Sequence, residues 1–190
     1  MDSLINYART LPRQRPRPVA QVEPHRPEAM FIACSDARVS PALLTGARPG
    51  QILELRTVGN VVPPYRPGRC CSEAATLSYA LGVLAVTDIV VCGHSHCAAV
   101  GIMRRGGLTT ATFDTWWWLT RTKGRARPAP PPATPSEVSH LHAQLDKLRS
   151  YPAIKRRLAQ GRLRLHGWYY DLSTGGVSTL NPDDNSLGPL

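Results

Sequence analysis

IVVCGHSHC, residues 89–97, is the stretch on which the fold turns. Ile89 to Cys92 is a short apolar run of strand-like composition, and Gly93 breaks it into a turn. His94 and Cys97 lie three apart, so both can face one point if that turn enters a helix. A second run, Met30 to Ala33, leads into FIACSD (31–36) and ends on Cys34. In open α/β sheets, sites gather at the carboxyl ends of strands. The two runs therefore predict neighbouring strands that finish together, with Cys34, His94 and Cys97 converging where they end.

Sulfur, nitrogen and sulfur suit Zn²⁺, and three protein ligands leave one tetrahedral position open, the mark of a catalytic rather than a structural site. Asp36 and Arg38 follow Cys34 by two and four residues. Two thiolates cancel the charge of the ion, so such a site acidifies bound water less readily than three histidines would. A carboxylate accepting a hydrogen bond from that water, kept ionised by a bidentate guanidinium, supplies the missing help. Asp36 and Arg38 are accordingly the candidate catalytic pair; the plainer alternative is a surface ion pair in a loop.

The remaining cysteines and histidines read more plainly. Cys70, Cys71 and Cys92 are expected to behave as small hydrophobes. His96 is expected at a polar contact or the surface. His25, His140 and His142 have no ligand pattern nearby, and His166 in LRLHGWYY reads as a packed or hydrogen-bonded strand residue.

CSDAR (34–38) followed about sixty residues later by HSHC (94–97) resembles the pattern of the β-class carbonic anhydrases, Cys-x-Asp-x-Arg and His-x-x-Cys. The likeness extends to RTVGNVVPP (56–64), to SEAATLSYALGVLAVTDIVVCGHSHC (72–97) and to YPAIKRRLAQGRLRLHGWYYDLSTGGV (151–177), and so covers most of 28–186. It implies reversible hydration of CO₂ to bicarbonate and a proton, with Zn²⁺ on Cys34, His94 and Cys97 lowering the pKa of its water from about 16 toward neutrality. Asp36, held by Arg38, would favour the attacking species; in some members the equivalent aspartate becomes a fourth ligand and closes the site. Two alternatives stay open: hydrolysis of carbonyl sulfide or carbon disulfide on the same scaffold, and a weakly catalytic zinc-binding module beside an anion transporter. Two departures stand out. Ala98 replaces the usual Gly, and His140 stands where the family usually has Asn, one turn before Gln144.

Strands are expected near 29–34, 51–57, 88–93, 162–169 and 176–180, and helices near 72–86, 136–149 and 152–159. The fold class is α/β: three layers, with a central mostly parallel sheet, one antiparallel edge strand, flanking helices and an N-terminal arm. Residues 1–27 form that arm, briefly helical over 1–9 and too rich in Pro and Arg over 11–27 to pack alone. Residues 28–190 form the zinc domain, with a Pro-rich surface loop near 121–136. The family's comparable arm lies across a partner subunit, so a homodimer or dimer of dimers is expected.

Composition fits one enzyme domain of 190 residues. No apolar run approaches twenty residues and no signal peptide is expected, so neither is a transmembrane segment. Five cysteines, two of them adjacent, do not form a disulfide framework, which predicts the reducing cytoplasm. The formal charge of +10 comes from the amino-terminal arginines, the 121–127 cluster and the 155–164 cluster. These are interleaved with Pro rather than aromatic residues and match no nucleic-acid motif, so solvated faces or a field that attracts bicarbonate are expected, not specific nucleic-acid binding. Trp116, Trp117 and Trp118 cannot all point inward from one helix, and a subunit interface is the expected cover.

Overall fold

The computed structural model describes residues 1–14, 26–68, 71–105, 113–122, 136–181, 183–184 and 186–190. His25, Cys70, the arginines at 15 and 17, and most of the 121–136 loop lie outside those residues.

Six strands form one sheet: β1 (Ala29–Cys34), β2 (Ile52–Thr57), β3 (Asp88–His94), β4 (Arg164–Tyr170), β5 (Val177–Leu180) and β6 (Leu187–Pro189). Their order is β2-β1-β3-β4-β5-β6. The first four are parallel, with β1 between β2 and β3 and β4 beside β3. The antiparallel edge holds two strands where the sequence pointed to one, because three residues of the tail pair with β5. A segment as short as Leu187–Pro189 has no alternation to read.

Central parallel strands are covered on both faces, hence the unbroken apolar runs in β1 and β3. Strand alternation sorts these residues between two cores. Met30, Ile32, Ile89 and Val91 face a large cluster with Leu77 and Leu141. Phe31, Ala33, Val90 and Cys92 face the other side, beneath Val39, Leu44 and Trp168. Phe31 meets the Trp168 ring edge-on at 5.6 Å.

Seven α-helices accompany the sheet among the described residues: α1 (Asp2–Gln14), α2 (Pro41–Thr45), α3 (Ser72–Gly82), α4 (Ala98–Arg105), α5 (Phe113–Arg121), α6 (Ser136–Ser150) and α7 (Pro152–Ala159). α1 runs past the expected residue 9 and across Pro12, whose fixed φ is helical even though it cannot donate to the preceding turn. α3 stops short of residue 86: Val83 and Leu84 both donate to the Tyr79 carbonyl, and Ala85 turns the chain with φ +55. No described helix is long and apolar enough to cross a membrane.

α6 lies across β3 and β4, and two glycines set how closely. A Cβ on Gly93 would sit 3.3 Å from Leu141 Cβ; one on Gly167 would sit 2.8 Å from Leu145 Cδ1 and 3.1 Å from Leu180 Cβ. Leu141 and Leu145, one helical turn apart, thus rest on two bare backbone positions of adjacent strands. At the far end of the same strands, Asp88 accepts two bonds from Arg164 (2.7 and 2.8 Å) and pairs with His166 Nε2 at 2.8 Å. His166 is therefore hydrogen-bonded, as expected.

Gly167→Ala should lower unfolding free energy by about 1–3 kcal/mol, the usual range for overpacking a core. Urea denaturation checks this, with an unchanged m-value indicating that the folded state has not loosened.

Candidate metal centre

β1 and β3 are parallel neighbours with Ala33 opposite Cys92, so their last residues, Cys34 and His94, finish at one edge of the sheet. The chain then turns through Ser95 and His96, and Cys97 immediately precedes α4. His96 carries φ +55, a left-handed conformation that costs a non-glycine residue about 1–2 kcal/mol and is held here by its neighbours. Ser95 N donates to the Tyr170 carbonyl at 3.0 Å. Its hydroxyl donates to Asp171 Oδ1 (3.3 Å) and accepts from Leu172 N (2.9 Å). The turn is thereby tied to the end of β4, and His96 is exposed.

One ligand atom each from Cys34, His94 and Cys97 lies within 4.8 Å of the others, and all three residues are buried. His94 Nδ1 meets the Ser95 carbonyl at 2.9 Å. A carbonyl only accepts, so Nδ1 carries the proton and Nε2 keeps its lone pair. That Nε2 is buried without a hydrogen-bond partner. A buried imidazole nitrogen is costly to leave so, and two cysteine sulfurs beside it make a donor set suited to zinc.

Two backbone N–H groups aim at Cys34 Sγ, from Asp36 at 3.4 Å and from Gly59 at 3.3 Å. The sulfurs of Cys34 and Cys97 lie within 4.8 Å of one another. Their contact draws the Cys34 thiol below its ordinary value, while the same contact and burial hold Cys97 above its own.

Asp36 is clamped rather than free. Its Oδ1 accepts from Arg38 N (3.0 Å) and Nε (2.9 Å), and its Oδ2 from Arg38 Nη2 (2.7 Å). The guanidinium bonds hold the carboxyl well below the usual carboxylate range. Asp36 does not join the three-residue ligand grouping, so the carboxylate stands beside it, occupied by Arg38.

Arg56 and Gly59 escaped sequence reasoning. Arg56, near the end of β2, donates to the Cys34 carbonyl through Nε (3.2 Å) and Nη2 (3.0 Å), and to the Asp36 carbonyl at 2.7 Å. It shapes the loop that carries Cys34 and Asp36 together. Gly59 sits at φ +70 in a 3₁₀ turn (Val58–Asn60), where an added Cβ would lie 3.1 Å from Ala99 Cβ. Only glycine brings its N–H so close to the sulfur without strain. The signal available was RTVGN itself: β2 pairs Thr57 with Cys34, so whatever follows Thr57 must pass the site.

Other positions fell out more simply. Cys92 is buried, and burial alone pushes its thiol up to about 12. Cys71 is exposed, not packed as a small hydrophobe, because it precedes the first turn of α3 at the surface. Ala98 is exposed, so its methyl does not narrow the space around Cys97.

The carbonic anhydrase family model matches residues 29–177. A carbonic anhydrase of Pseudomonas aeruginosa is 40% identical over 163 residues, 82% of this chain and 74% of that protein. One from Synechocystis is 36% identical over 166 residues, 80% of this chain but only 58% of the longer relative. The structure of the β-carbonic anhydrase CcaA superposes with a TM-score of 0.78 at 30% identity, covering 100% of this chain and 86% of that one. The chain belongs to the β-class carbonic anhydrases. These are zinc enzymes, and the two sulfurs and orphaned imidazole nitrogen fit that ion.

Purified protein should carry one zinc per chain, and Cys97→Ala very little. Cys34→Ser should behave like Cys97→Ala, since a neutral hydroxyl is a far poorer ligand than a thiolate. Metal analysis by mass spectrometry checks both; full zinc retention in Cys97→Ala would refute the ligand assignment.

Proposed function

We propose that this centre performs the zinc-dependent reversible hydration of CO₂ to bicarbonate and a proton, with Cys34, His94 and Cys97 as ligands and Asp36 and Arg38 as the acting pair beside them. The observation that carries the reading is the buried convergence of three donor atoms within 4.8 Å, one of them an orphaned imidazole nitrogen. When bound, zinc supplies a Lewis acid that brings water to hydroxide near neutral pH.

The side chains do the rest. Asp36, kept ionised by Arg38, can only accept a hydrogen bond. It therefore selects a nucleophile that still bears a proton, and fixes that proton at the carboxylate so that a lone pair points elsewhere, toward substrate. Arg38 supplies orientation as well as charge, because its fork holds both carboxylate oxygens. Beside the sulfurs, Val61, Ala99, Val100 and Leu119 form a buried apolar cluster, a surface suited to a small uncharged molecule. The four described cysteines form no disulfide, which fits the reducing cytoplasm as the place of work.

Asp36→Asn and Arg38→Ala should each lose activity by about 10- to 100-fold while keeping zinc, the scale seen when groups that orient a metal site are removed. Stopped-flow CO₂ hydration with carbonyl sulfide as a parallel substrate checks both the pair and the substrate. Full turnover in both variants would reduce the pair to a surface ion pair, and preference for carbonyl sulfide would change the substrate.

We also propose a homodimer in which the arm, residues 1–27, crosses the partner and stands apart from the 28–190 domain. On α1, Leu4, Ile5 and Tyr7 are 68%, 42% and 60% exposed; on α5, Phe113 and Trp117 are 48% and 47% exposed and their rings stack at 6.2 Å. Two apolar surfaces of this kind on one small protein call for cover. Deleting residues 1–27 should lower stability and activity together. Sedimentation showing a fully active monomer, intact or truncated, would overturn the assembly.

A further inference from the structure

α6 presents a second face besides the leucines that rest on the sheet. His140, Gln144 and Lys147, with Tyr151 just beyond the helix, follow helical spacing, and His140, Gln144 and Tyr151 bond to the segment 59–63. His140 Nε2 lies 2.7 Å from the Gly59 carbonyl, Gln144 Oε1 accepts from Val62 N at 3.0 Å, and Tyr151 OH donates to the Pro63 carbonyl at 2.7 Å. The turn that delivers the Gly59 N–H to Cys34 is therefore suspended from a helix more than a hundred residues away from that cysteine.

The direction of each bond is forced. The Gly59 carbonyl only accepts, so His140 Nε2 carries the proton and Nδ1 is bare. The Val62 N–H only donates, so the Gln144 oxygen faces it, and Gln144 Nε2 turns to His140 Nδ1 (3.4 Å) and to the His140 carbonyl (3.1 Å). Lys147 Nζ, an obligatory donor, meets the same Gln144 oxygen at 3.0 Å and locks the amide. All donors point one way, from Lys147 through Gln144 and His140 to Gly59, the arrangement in which each bond polarises the next. Lys147 is 7% exposed, and among the described residues no carboxylate pairs with it. Burial lowers His140 to about 4, so the imidazole stays neutral and a single-proton donor at working pH.

We propose that His140 is a positioning residue for the metal-binding sulfur of Cys34, acting through Gly59 and oriented by Gln144 and Lys147. This rests on Cys34 as a zinc ligand. Gly59 is trapped between two constraints: toward α4, where a Cβ would lie 3.1 Å from Ala99 Cβ, and toward α6, where His140 grips its carbonyl. Its N–H consequently stays 3.3 Å from Cys34 Sγ. An N–H on a thiolate withdraws charge from the sulfur and fixes its lone pairs, which sets how strongly that ligand donates.

The test uses the full-length protein with Co²⁺ exchanged for zinc, reading the thiolate-to-cobalt charge-transfer band, together with zinc affinity by chelator competition. His140→Leu keeps the bulk and removes the donor; His140→Gln restores an N–H. His140→Leu should shift the band and weaken zinc by about 10-fold or more, His140→Gln should return both toward wild type, and Lys147→Met should shift the band less in the same direction. A band and affinity unchanged in His140→Leu, or a His140→Gln no better than His140→Leu at equal thermal stability, would overturn the proposal. If His140→Leu does not fold, an unmoved band in Lys147→Met overturns it instead. Full zinc retention in Cys34→Ser would remove Cys34 as a ligand altogether, an outcome distinct from failure of the His140 role alone.

Discussion

Two neighbouring parallel strands must end together, and everything at the site depends on that. Because β1 and β3 pair in parallel with Ala33 opposite Cys92, the residues that follow, Cys34 and Gly93, arrive at one edge, with His94 a step further. An antiparallel pairing would have sent the two ends to opposite sides of the molecule. The apolar character of both runs is the cause: strands covered on both faces are the ones that pair in parallel in α/β folds. Core formation and ligand convergence are therefore one event, and the bare backbone at Gly93 and Gly167 lets α6 seat on the same two strands.

Burying sulfur that must ionise requires compensation, and the surroundings of Cys34 are built of it. Backbone N–H groups come from its own loop and from the 3₁₀ turn after β2. Arg56 binds the carbonyls of Cys34 and Asp36, so one guanidinium fixes the path of the chain that another, Arg38, completes through the Asp36 carboxylate. The two arginines act on different parts of one loop. Arg56 sets where the backbone lies and Arg38 sets which way the carboxylate faces, so losing either would misplace Asp36 for a different reason.

How much of this was legible depends on range. The grouping of Cys34, His94 and Cys97, the Asp36–Arg38 pair and the four parallel strands could be read from local runs, because strand ends and short spacings are local properties. His140 could not. It looked idle because nothing near it in sequence offers a ligand pattern, and its partner, the Gly59 carbonyl, lies 81 residues away. Arg56 was hidden for a similar reason: its targets are backbone carbonyls, which every residue has. β6 and α2 are too short to leave a period, and α3 ended early through a left-handed Ala85, a conformation that alanine does not advertise.

The charge balance of the centre explains why a strongly basic chain can run a neutral site. Two thiolates offset a dication, and Asp36 offsets Arg38, so the metal-loaded centre has almost no net charge of its own. Its flank, from Val61 to Leu119, is a buried apolar cluster that adds no charge beside it. The formal excess of +10 instead belongs to the rest of the chain, where it acts at longer range and is screened within roughly 8–10 Å at ordinary salt. A centre of small net charge suits a reaction that must run in both directions, because neither an uncharged substrate nor an anionic product is then favoured by charge alone.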